Sequence, residues 1–60
     1  MKGLIEATAT KGGKTITSKV FGDLANKDRL FARLMNHNKI IHSQRILWKL
    51  TNVKLIKEIK

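Results

Sequence analysis

The glycine pair Gly12-Gly13 constrains this chain more than any other feature. It sits midway between two segments that alternate small or apolar residues with polar ones, and it is flanked by Lys11 and Lys14. A two-residue hairpin turn needs positive φ, which glycine adopts without steric cost. Folding the chain about this pair sets Thr10 against Thr15, Thr8 against Thr17 and Glu6 against Lys19. Those three pairs share one face, with a salt bridge expected between Glu6 and Lys19. The other face carries Ile5, Ala7, Ala9, Ile16, Ser18 and Val20. Turn chemistry and the period-2 pattern agree, which predicts a β-hairpin over residues 4–21.

Beyond the hairpin the period lengthens. Phe21-Gly22-Asp23 ends the second strand. Asp23 is a residue type that caps helices, and Asp28 adds negative charge to the early turns. Leu24, Phe31, Leu34 and Met35 then fall on one side at helical spacing, with Arg29, Arg33 and His37 opposite them. A helix over residues 24–36 is predicted, with Asn36-His37-Asn38 as its stop because Asn tolerates the left-handed conformation.

The rest, KIIHSQRILWKLTNVKLIKEIK, does not read as a single helix, since Ile46, Leu50 and Val53 point away from Trp48, Leu55 and Ile59. Two strands fit better, joined by a turn at Thr51-Asn52. That turn sets Trp48 opposite Leu55 and Arg45 opposite Glu58, but also Lys49 against Lys54, which is unfavourable. The alternative is a short helix across residues 42–50, capped by Ser43, and then one strand. The fold class that follows is α+β in a single domain, residues 1–60: an N-terminal hairpin, one amphipathic helix and a C-terminal strand pair (ββαββ). The helix lies across one face of a small antiparallel sheet, over Ile5, Ala7, Ile16 and Val20, where the small Ala7 and Ala9 permit close approach. The opposite face is left open and rich in threonine and lysine.

Charge decides the class of partner. Thirteen Lys and Arg against four Asp and Glu give a formal charge of +9 on 60 residues. A field of that size draws polyanions and repels copies of the chain. From Arg29 to Lys57 there is no acid at all, while Arg29, Arg33, Lys39, Arg45, Lys49, Lys54 and Lys57 are basic. A merely solvated surface mixes signs. No apolar run approaches the ~20 residues of a membrane span, and the N-terminus lacks the apolar core of a signal peptide. Cysteine is absent, so disulfides and Cys-type zinc sites are excluded. A cytoplasmic protein is expected, without a membrane partner. The Lys, Ile and Asn content suits an AT-rich genome such as a phage's.

Four features are candidates for chemistry. The stripe Arg29, Arg33, His37 matches the spacing of phosphates along a groove. The tip Lys11-Gly12-Gly13-Lys14 suits a sugar-phosphate backbone and lacks the spacing of a nucleotide-binding P-loop. Trp48, between Arg45 and Lys49, is suited to stacking on a base, but a chain with three aromatic residues in all needs it first for packing. His37 and His42 lie five positions apart with no carboxylate nearby, which supports neither a metal site nor general acid–base catalysis. No cofactor is implied. The expected function is non-enzymatic nucleic-acid binding of a regulatory kind, RNA over DNA, because the helix stripe offers few groups for reading base edges. Arg29, Arg33, His37, Lys39, Arg45, Lys49, Lys11 and Lys14 are the expected contacts. The rival is a phage-type inhibitor or antitoxin-like protein that blocks an acidic host protein or a toxin, with or without RNA. Homodimerisation is favoured by the small core and opposed by the charge.

Overall fold

The structure, a computed structural model, describes residues 1–59. Strands β1 (Lys2–Lys11) and β2 (Lys14–Asp23) form the hairpin in the predicted register, with Glu6 opposite Lys19, Thr8 opposite Thr17 and Thr10 opposite Thr15. Of the two turn glycines only Gly12 has positive φ, at 57°, the pattern of a type II′ turn. The Thr8 and Thr17 hydroxyls hydrogen-bond at 3.0 Å. The expected Glu6–Lys19 salt bridge does not close: among the described residues the one ion pair joins the N-terminal ammonium to Asp23, at 2.9 Å.

Helix α1 (Lys27–His37) begins three residues later than its periodicity suggests. Asp23 is not its cap. The Asp23 Oδ1 accepts the Ala25 N–H at 3.0 Å, and the Asp23 carbonyl accepts the Asn26 N–H at 2.9 Å, so a turn intervenes. Asn26 caps the helix instead, its Oδ1 accepting the Arg29 N–H at 3.2 Å. The far end stops at Asn38, as expected. Here Lys39, not an asparagine, takes the left-handed conformation, with φ 58°. The Lys39 N–H donates to the Asn36 carbonyl at 3.1 Å and the Ile40 N–H to the Met35 carbonyl at 2.9 Å. Together these two bonds form a Schellman motif.

After α1 comes one turn of helix, α2 (His42–Arg45), and then one long strand, β3 (Lys49–Glu58). The expected C-terminal strand pair is therefore a single strand, and Thr51-Asn52 is no turn. The alternative reading of residues 42–50 is the nearer one, although Ile41 rather than Ser43 precedes the helix and makes no side-chain cap. β3 pairs antiparallel with β1, giving the order β2-β1-β3. Its register shifts twice, leaving Thr51 and Ile56 as the extra residues of two β-bulges. The bulges keep Leu50, Val53 and Leu55 on the face of Ala9, Ala7 and Ile5. Near the end of this pairing the strands meet so closely that a Cβ on Gly3 would lie 2.0 Å from the Lys57 carbonyl oxygen.

The architecture is α+β, an antiparallel three-stranded sheet with α1 across one face. Ile5, Ala7 and Ala9 are fully buried beneath Leu30, Leu34 and Met35, and Val20 and Trp48 complete the core. Trp48 thus serves packing. The alanines matter because only small side chains let the helix axis sit close to the central strand. α1 packs chiefly on β2, which is an edge strand, and this placement creates the groove described next.

Candidate nucleic-acid interface

Arg29, Arg33 and His37 project from the exposed side of α1 on successive turns, as the spacing predicts. They face the outer edge of β2. Between helix and strand runs a groove of about 640 Å³ bordered by Lys2, Phe21, Asn26, Arg29, Arg33 and Ile59, among others. A second hollow of about 410 Å³ adjoins it, bordered by Lys19, Phe21, Arg33, Asn36 and His37. Phe21 and Arg33 border both, so the two adjoin as a trough that starts at the end of the sheet, by Lys2 and Ile59, and continues along the outer edge of β2.

The trough is cationic and unneutralised. Its one acid, Asp23, is held by the N-terminal ammonium. Its carboxyl sits below the ordinary aspartate range, first because the Ala25 N–H donates to it and then because the ammonium does. Among the described residues no Lys or Arg side chain forms an ion pair.

The remaining expected contacts divide. Lys11 and Lys14 flank the hairpin tip, and Lys49 enters β3 opposite Thr10, near the same end. The tip is tethered to α2, since the Lys11 Nζ donates to the Gln44 Oε1 at 3.2 Å. Lys39 is exposed at the helix end. Arg45 stands apart: half-buried, it donates from Nε to the Ile40 carbonyl at 3.1 Å and from Nη2 to the Asn36 Oδ1 at 2.6 Å. Its guanidinium closes the loop after α1, a role that spacing alone does not show. His37 and His42 are both exposed, and no group of three metal-ligating side chains gathers among the described residues.

Several trough residues are absent from the sequence-derived set, among them Lys2, Lys19 and Phe21. For the last two, alternation did contain the signal. Val20 faces the core, so Lys19 and Phe21 must face away from it. Because β2 is an edge strand, outward-facing residues there border both the open sheet face and the helix groove. The open face itself carries Thr8, Thr10, Thr15, Thr17, Asn52, Lys49, Lys54 and Lys57 around Glu6. The cations therefore occupy two surfaces that meet along β2.

No helix among the described residues is long and apolar enough to cross a membrane. Comparison with protein-family models, with curated proteins and with solved structures found no match to this chain.

Proposed function

We propose that this chain is a non-enzymatic nucleic-acid-binding protein that grips phosphates along the trough between α1 and the β2 edge, with RNA favoured over DNA. The observation that carries this reading is a basic trough whose Lys and Arg side chains form no ion pair among the described residues, its one acid, Asp23, being paired with the N-terminal ammonium. Arg29, Arg33 and Lys19 are its principal phosphate contacts, with His37 at one end. Phosphates supply the missing counter-charges, and released counterions make the affinity salt-dependent. RNA is favoured because α1 lies against its own sheet, with only one side free, and the residues on that side suit phosphates better than base edges. A cytoplasmic setting and a regulatory role go with this reading.

The test is a titration of the full chain with a fluorescent RNA at several salt concentrations. Affinity should fall steeply as salt rises. Arg33→Gln should weaken binding to unrelated sequences alike and flatten the slope by the share of one phosphate contact, about 0.7 to 0.9. Affinity that ignores salt would contradict the reading.

A further inference from the structure

Phe21 is 57% exposed on a strand edge, in a chain with two phenylalanines and one tryptophan in all. A large apolar ring left in water loses the stabilisation its burial would give. Phe31, by contrast, is partly buried and packs on the core, and Trp48 is buried in it. The exposed ring borders both parts of the trough, beside Arg33, with Arg29 and Lys2 on one side and Lys19 and His37 on the other. An aromatic face set among cations along a groove is the arrangement that holds an unpaired base by stacking while its flanking phosphates meet the cations. A duplex hides its base faces and gains nothing from such a ring. Phe21 lies at the junction of the two hollows.

We infer that the trough takes single-stranded RNA, with one base stacked on Phe21 and the phosphates on either side held by Arg29 and Arg33 and by Lys19. This rests on the phosphate-binding reading above and adds the strandedness of the ligand. Asp23 does not repel the strand, because its charge is met by the N-terminal ammonium at 2.9 Å.

The experiment compares a single-stranded RNA decamer with a duplex of the same length, for the full wild-type chain and for Phe21→Ala, Phe21→Trp and Arg33→Gln. Far-UV circular dichroism confirms that each variant is folded, which the exposure of Phe21 favours. The wild-type chain should prefer the single strand. Phe21→Ala should weaken single-strand binding by about 5- to 160-fold, the range for loss of one base stack, and leave duplex binding unchanged. Phe21→Trp should restore single-strand binding, with its indole fluorescence quenched on addition of RNA. If Phe21→Ala leaves single-strand binding unchanged, or weakens both ligands equally, the stacking inference is wrong. Should Arg33→Gln still weaken both RNAs in that case, phosphate binding survives alone. Absence of binding to either RNA at low salt overturns both.

Discussion

Arg45 reaches back nine residues to Asn36, its Nη2 donating to Oδ1 at 2.6 Å while Nε donates to the Ile40 carbonyl at 3.1 Å. One planar guanidinium thus ties α2 to the end of α1 and fixes the loop that delivers Trp48 to the core. A lysine has three donors but all on one nitrogen, so it lacks the rigid fork that aims Nε and Nη2 at two separate acceptors. Arg45→Lys should lower stability by about 0.5–1.5 kcal/mol, the net scale of one hydrogen bond at a half-exposed site, and shift the urea midpoint accordingly. Arg45→Ala should do the same without changing the salt dependence of RNA binding. A flatter salt slope in Arg45→Ala would instead make Arg45 a phosphate contact.

Lys39 holds a backbone conformation that suits glycine, with φ 58°, and completes the Schellman motif there. The left-handed region costs a residue with a Cβ roughly 1 kcal/mol or more. Lys39→Gly should therefore raise stability by about 0.5–1 kcal/mol, or several degrees in Tm for a domain of this size. Lys39→Val, β-branched, should lower it.

The pH dependence of folding should carry the signature of Asp23. Its folded-state carboxyl is held below the ordinary range by the Ala25 N–H and then by the N-terminal ammonium. A lowered folded value means that the stabilisation is fully present above the unfolded value, near 4, and is lost as pH falls through the folded value. Urea midpoints of the wild-type chain and Asp23→Asn should differ at neutral pH and converge in acid. A constant gap across that range would count against this assignment.

How much of this was legible in the sequence depends on where the period stays regular. In the hairpin nothing interrupts the alternation, so register and faces could be read from Gly12-Gly13 outward. In β3 the bulges at Thr51 and Ile56 break it, and the inward residues Leu50, Val53 and Leu55 follow intervals of three and then two. A polar Thr51-Asn52 in such a pattern resembles a turn. It is a bulge, with the Thr51 hydroxyl bonded to the Thr8 carbonyl at 3.3 Å. The helix stripe was legible from its spacing. The trough was not, because it depends on β2 being an edge strand, and that follows from β3 pairing with β1. Arg45 resembled its basic neighbours because its two partners lie in the loop and helix before it.

Tight β1–β3 pairing at Gly3 gives a direct check on that sheet order. A Cβ there would meet the backbone of Lys57 at 2.0 Å, and backbone cannot swing aside as a side chain can. Gly3→Ala should destabilise by about 1–3 kcal/mol, as overpacking does. Trp48→Ala, at about 3–5 kcal/mol, should remove most of the stability available to a core this small. Chemical denaturation of both variants measures these losses. A Gly3→Ala variant as stable as the wild-type chain would contradict the pairing.

The central claim is that the cations beside the β2 edge, which form no ion pair among the described residues, bind the phosphates of a single strand. It is tested most directly by the slope of log affinity against log salt for single-stranded RNA, in the wild-type chain and in Arg33→Gln. The account predicts a clearly negative wild-type slope that shrinks in magnitude by about 0.7 when Arg33 is replaced, the value for one phosphate contact on a single strand. A slope near zero, or one that Arg33→Gln leaves unchanged, would contradict it.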